Sequence, residues 1–190
     1  MDFVPLEIGD AWICTSPVWS DDRGSFREWF KSEELISITH STFEVAQANI
    51  SVSNKGVMRG IHYSLAPAGQ AKWVTCVSGA IIDVIVDIRP TSPTFGKYKL
   101  VDLKGGDGRA VLIGNGLGHG FISLEDNSTV SYLLSSPYSP SEEYEINPMD
   151  PAIGIDWNLN LVGGAGVILS SKDANAPTLA TRRAEGKLPY

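Results

Sequence analysis

Residues Val57 to Arg89 read VMRGIHYSLAPAGQAKWVTCVSGAIIDVIVDIR, and this stretch decides the fold. Short apolar runs of Val, Ile, Trp and Cys are broken by Gly60, Pro67, Gly69 and Gly79. Runs of this length between turn formers read as successive β-strands, not helices. The same residues carry Arg59, His62, Lys72, Asp83, Asp87 and Arg89. Arg59 and His62 leave one strand, a Pro/Gly turn follows, and Lys72 enters the next. Strands joined in that way are expected to pair antiparallel, bringing a base and two cations to one face.

Outward from this stretch the pattern continues. Trp12 to Thr15, Phe26 to Phe30, Val45 to Ser53, Lys97 to Leu103, Arg109 to Ile113, Gly120 to Leu124 and Thr129 to Leu134 all read as short strands. Turn clusters such as Asp22-Arg23-Gly24 and Gly106-Asp107-Gly108 separate them. Many short strands with turn chemistry between them point to a sandwich, a barrel or a jelly roll. Gln47, Asn49 and Ser51 share one face of their strand, which by itself reads as the solvent side of an edge strand. Helices are few: Ser32 to Ile38, with Ser32 as N-cap, and Pro177 to Glu185, with Pro177 at its first position and Gly186 as its stop.

Composition bounds the function. The 190 residues are 43% hydrophobic and 19% charged, as in an ordinary globular chain. A net charge of -7 argues against nucleic acid as a partner, since a phosphate backbone needs a basic face. A small anion in a cleft lined by a few Arg and Lys is compatible with that charge. No apolar run is long enough to span a membrane, and the N-terminus lacks the basic and apolar regions of a signal peptide. The two cysteines, Cys14 and Cys76, are far apart and suggest no disulfide framework. A cytoplasmic protein is the expectation.

The chemistry narrows by elimination. There is no Gly-x-Ser-x-Gly elbow, no Gly-x-Gly-x-x-Gly loop and no Walker loop. His62 is followed by Tyr63 and Ser64, so the His-x-His pair of many metal-binding jelly rolls is missing and a metal-free protein is expected. His62 and His119 each sit near glycine at a strand end. Each alone reads as a hydrogen-bonded structural residue, and His40 as an exposed one. Taken together, a histidine base, Lys72 as a cation, Tyr132 as an acid and arginines as anion anchors suit proton abstraction beside a carbonyl.

At these residues the chain resembles the dTDP-4-dehydrorhamnose 3,5-epimerase family, the RmlC-like cupins. The ordered pieces are Asp22-Arg23-Gly24 with Phe26 and Glu28, Gln47-x-Asn49, Arg59-Gly60-Ile61-His62-Tyr63, Gln70-Ala71-Lys72, and Asp83 to Arg89 with Ser92 to Gly96. Gly118-His119-Gly120-Phe121, Tyr132, Tyr138, Asp150-Pro151 and Ser171-Lys172-Asp173 follow. The resemblance implies an all-β, double-stranded β-helix jelly roll with short peripheral helices. It implies one domain over residues 1–190, with an N-terminal strand arm and a C-terminal helical tail.

It further implies His62 as the base, Asp173 as its dyad partner, Lys72 as the enolate-stabilising cation and Tyr132 as the proton donor. Arg23, Arg59 and Lys172 would hold a diphosphate. Phe26, Glu28, Gln47, Asn49, His119, Tyr138 and Glu143 would complete the substrate site. The implied substrate is a dTDP-4-keto-6-deoxyhexose, with no cofactor, in a homodimer whose arm, Arg23 to Glu28, reaches the partner's site. Ser64, Gly114 and Pro148-Met149 depart from the family's usual residues. They leave room for an enzyme that inverts C3 or C5 alone; a non-catalytic sugar-nucleotide-binding cupin is the alternative of another class.

Overall fold

A computed structural model gives the fold and describes residues 1–67 and 69–190. One sheet of six strands runs, in spatial order, β1 (Asp2–Pro5), β2 (Ala11–Thr15), β10 (Arg109–Ile113), β7 (Lys72–Ser78), β12 (Ser128–Leu134) and β5 (Gln47–Ser53). A second sheet of five runs β13 (Glu143–Glu145), β6 (Met58–Ser64), β11 (Leu117–Ser123), β8 (Ala80–Asp87) and β9 (Tyr98–Lys104). A separate hairpin pairs β3 (Trp19–Asp21) with β4 (Gly24–Phe26). Neighbouring strands in both sheets are antiparallel. This is the expected all-β jelly roll. The helices are α1 (Ser32–Thr39), α2 (Ser171–Ala174) and α3 (Leu179–Ala184). Among the described residues no helix is long and apolar enough to cross a membrane.

Period-two alternation sorts the apolar residues into three layers. Val74, Cys76, Ile81, Ile85, Val111, Phe121 and Val130 fill the space between the sheets. Ile61, Tyr63, Val84, Val86 and Ile122 face outward from the second sheet and are covered by the C-terminal segment through Trp157, Leu179 and Leu188. Trp73, Leu112 and Leu133 face outward from the first sheet and are covered by Leu35 and Phe43. Each fully buried large side chain contributes roughly 1.5–3 kcal/mol.

Charge is tied down at one corner of the second sheet. Buried Asp87 accepts hydrogen bonds from Arg89 Nε at 3.0 Å, Arg89 Nη2 at 2.8 Å and Thr94 Oγ1 at 2.6 Å. Burial pushes this carboxyl up, but the Arg89, Ser92 and Thr94 bonds outweigh it and hold it down at about 2. That explains structurally the motif from Asp87 to Thr94. Between β6 and β11 the register shifts at His119/Phe121. There a Cβ on Gly60 would lie 2.5 Å from Gly120 Cα and 2.7 Å from the His119 carbonyl oxygen, at φ +118°. Only glycine fits such an approach.

Several local expectations are corrected. The strands β6 and β7 do not pair; they lie in opposite sheets, because the Ser64-to-Lys72 connection crosses the sandwich instead of closing a hairpin. The strand read over Phe26 to Phe30 ends at Phe26. Beyond it Trp29 and Phe30 turn in to pack against the Trp73 layer, and the Trp29 carbonyl accepts from Trp73 Nε1 at 2.8 Å. Ser32 is the first helical residue of α1, whose N-cap is Lys31 with no side-chain cap. Pro177 precedes α3, because Thr178 is the N-cap and its hydroxyl accepts from the Thr181 N–H. On β5 the polar residues face inward and Ala48, Ile50 and Val52 face out, reversing the solvent-side reading of Gln47, Asn49 and Ser51.

Candidate active site

The inward row of β5, β12 and β7 is set by register. Asn49 lies opposite Tyr132, and Tyr132 opposite Val74; one row further along, Gln47, Leu134 and Lys72 align. On the facing sheet, β6 presents Arg59 and His62. Together they border a cavity of about 280 Å³ lined by Asn49, Arg59, His62, Gln70, Lys72, Tyr132, Leu134, Tyr138, Glu143, Tyr144, Ser170, Lys172 and Asp173. His62 and Tyr132 therefore enter it from opposite walls.

Asp173 reaches His62 through a short helix with a strong start. Ser170 is the N-cap of α2, and its hydroxyl accepts from the Asp173 N–H at 3.0 Å. This places Asp173 Oδ1 2.6 Å from His62 Nε2. Burial works against the charged carboxylate of Asp173, but the bond and charge of His62 and the Ser170 bond hold it below the usual range. With Nε2–H given to Asp173, Nδ1 of His62 is free to accept a proton. Such a carboxylate orients the imidazole and stabilises the imidazolium.

Lys72 is buried, and its Nζ donates to the His62 carbonyl at 3.3 Å. Burial lowers it to about 8, against the opposing pull of Glu143 and Asp83. A cation in such a dry place acts strongly on a developing oxyanion. Arg59 Nε donates to Ser53 Oγ at 3.1 Å, which fixes the guanidinium against β5. Gln47 Nε2 donates to Asn49 Oδ1 at 2.9 Å, and its Oε1 accepts from Tyr138 N at 2.8 Å. Gln47 thus ties the Tyr138 loop to the cavity wall. Lys172 pairs with Glu145 at 2.9 Å at the rim; that hydrogen bond holds the ammonium above its ordinary value.

Nine of the residues singled out from sequence share this cavity, with Gln47 beside it. Four do not. His119 is off the wall and buried, with Nε2 2.6 Å from Asp83 Oδ1, although it lies opposite His62 in register. Its ring lies 6.5 Å from that of Phe121, and Ile85 is its register partner on β8. Arg23, Phe26 and Glu28 are exposed on the protruding segment; Arg23 pairs there with Asp21 and Glu28 with Lys31. None of the three lines this chain's own cavity. Sequence reasoning assigned no role to Gln70, Tyr144, Leu134 or Ser170. The Ser-x-x-Asp spacing from Ser170 to Asp173 was a readable capping signal. Among the described residues, no three His, Cys, Asp or Glu side chains converge as a metal site would need.

A jelly roll whose cavity gathers a carboxylate-paired histidine, a buried lysine and an opposed tyrosine is cupin-like and holds the groups that acid–base chemistry uses. The family model for dTDP-4-dehydrorhamnose 3,5-epimerase matches residues 5–181, and the chain belongs to that family. The dTDP-4-dehydrorhamnose 3,5-epimerase of Mycobacterium tuberculosis H37Rv is 45% identical over 97% of this chain and 90% of its own. A solved epimerase structure from M. tuberculosis superposes with a TM-score of 0.95 at 44% identity, covering 100% of this chain and 94% of the other. A 3'-monoepimerase from Streptomyces bikiniensis, solved with dTDP-quinovose, has a TM-score of 0.91 at 45% identity, covering 97% of this chain and 91% of the other.

Proposed function

We propose that this protein inverts C3 and C5 of dTDP-4-keto-6-deoxyglucose to give dTDP-4-keto-L-rhamnose. The observation that carries this is the placement of His62 and Tyr132 on opposite walls of one cavity, with the Lys72 ammonium in that cavity. His62, held by Asp173, removes the proton from a carbon beside the C4 ketone. Lys72 stabilises the enolate oxygen, and Tyr132 returns a proton from the other face. Both C3 and C5 flank the ketone, so one cation serves both. Arg59 and Lys172 hold the diphosphate, Lys172 by exchanging Glu145 for phosphate oxygens. Asn49, Tyr138 and Glu143 border the substrate, with Gln47 behind them. His119, opposite His62 in register, adjoins the site.

The substrate site is completed by a second copy of the chain. In a homodimer the exposed arm delivers Arg23, Phe26 and Glu28 to the partner's cavity. Ile50 is 72% and Phe26 66% exposed, and a two-fold interface would cover such residues. The same reading takes residues 1–190 as one jelly-roll domain with an arm and a tail, working in the cytoplasm without nucleic acid, membrane or cofactor.

A second reading, inversion at C3 alone, is favoured by one observation: the monoepimerase above matches this chain as closely in sequence as the 3,5-epimerase does. Turnover of dTDP-4-keto-6-deoxyglucose in D₂O, followed by sugar NMR, separates them. Deuterium at C3 and C5 with an L-configured product is the expected result. Deuterium and inversion confined to C3 would establish the monoepimerase, and no exchange at either carbon would leave only sugar-nucleotide binding.

A further inference from the structure

We infer that Gln70 is a positioning residue that fixes the Glu143 carboxylate in the cavity wall as the counter-charge of the Lys72 ammonium. The inference rests on the epimerase reading for its catalytic meaning, but its geometry stands apart from it. Gln70 is 6% exposed and precedes β7 by two residues, so its side chain enters the cavity wall beside Lys72. Its Nε2 donates to Glu143 Oε1 at 3.1 Å, bridging the entrance of β7 in one sheet to the edge strand β13 of the other. Among the described residues no other side chain hydrogen-bonds Glu143. Ser64 lies directly opposite Glu143 in register, but its hydroxyl accepts from the Ala66 N–H at 3.2 Å, within its own loop.

Lys72 needs such a partner at a distance. Its Nζ has a neutral acceptor, the His62 carbonyl, and forms no ion pair among the described residues. Of the charged groups around it, Arg59 on β6 and Lys172 on α2 are cations and favour the neutral amine. Asp173 on α2 is committed to His62, and Tyr132 on β12 is a phenol. Glu143 on β13 and Asp83 on β8 remain, and Asp83 is bonded to His119 on β11. Of the two, Glu143 supports the charged lysine more strongly. A carboxylate on an edge strand is free to swing to water; the carboxamide of Gln70 prevents it. Without that tether Lys72 loses part of its support and gives up its proton at lower pH.

The test is a substrate-free NMR titration of Lys72 in protein labelled with ¹³Cε-lysine, with the pH profile of sugar C–H exchange in D₂O beside it. Gln70→Leu and Glu143→Gln should each move the Lys72 midpoint down from about 8. The basic limb of the exchange profile should move the same way, cutting the rate at pH 8 several-fold. The double variant should titrate like Glu143→Gln alone, because Gln70 acts through Glu143. An unmoved midpoint in Glu143→Gln would overturn the assignment even if Gln70→Leu failed to fold. So would a folded Gln70→Leu protein that loses rate with an unchanged basic limb, which is what a merely structural role gives. The titration needs no substrate, so it decides the role of Gln70 whatever the wild-type protein does to the sugar.

Discussion

Lys72 shows what a buried ammonium does to the fold around it. An ammonium of ordinary pKa, buried until it titrates at about 8, disfavours the folded state at neutral pH. The sign follows from proton counts: below about 8 both states are protonated, and the folded state is worse by the full difference. Stability then rises as pH climbs from 8 toward the unfolded value near 10.4, because the folded protein has already released the proton. The penalty is about 3 kcal/mol at pH 7, from ~1.4 kcal/mol per unit. Lys72→Met keeps the length of the side chain and removes the charge. It is expected to raise the thermal midpoint at pH 7 while lowering C–H exchange by at least ~100-fold, the scale of a lost electrostatic donor. Melting curves at pH 7 and pH 10 check this: the gain should shrink at the higher pH, and a variant less stable than wild type at pH 7 would refute it.

At the scale of elements, α2 is only four residues long and depends on its cap. Ser170→Ala removes the acceptor of the Asp173 N–H, costing about 1 kcal/mol. Asp173 then loses its place beside His62, and a misplacement on the order of 1 Å costs on the order of a hundredfold in rate. The expected outcome is a lower kcat with KM nearly unchanged. Asp173 also loses one of the bonds holding its carboxyl down. Its ionised form is the useful one, so the acid limb of the pH profile should move to higher pH. A Ser170→Ala protein with wild-type kcat would show that the helix holds without its cap. Elements also mark how far the sequence could be read. Strand existence was legible for β2, β5 to β12, because each carries period-two or continuous apolar patterning. The partnership of β6 and β7 was not, because local turn residues do not reveal whether a connection closes a hairpin or crosses between sheets. The inward polar row of β5 reads as solvent-facing until its cavity is known. The His62–Asp173 pair, 111 residues apart, came from the family's motifs and not from any local pattern. Gln70 escaped notice as a site residue because its partner Glu143 lies 73 residues on, in a loop-rich stretch.

For the whole molecule, the question is where the arm belongs. The hairpin of β3 and β4 stacks Trp19 on Phe26 at a centroid distance of 5.9 Å, yet both rings stay at least half exposed. Two isolated strands are marginal in water, so an arm of this kind needs a surface to lie on. The outward face of β5 offers Ile50 and Val52 in the same condition. If two copies bury these residues together, each cavity combines His62 of one chain with Arg23 of the other. Subunit mixing then gives a result that separate, self-contained sites do not. His62→Ala and Arg23→Ala each disable both sites of their own homodimer. In a mixed dimer, one site inherits both defects and the other inherits neither. Random reassortment makes about half of the dimers mixed, so about a quarter of wild-type exchange activity should return from two weakly active preparations. Mixing after mild denaturation and refolding, with refolded homodimers as controls, measures this. Activity no greater than the mean of the two controls would mean that Arg23 serves its own chain or none.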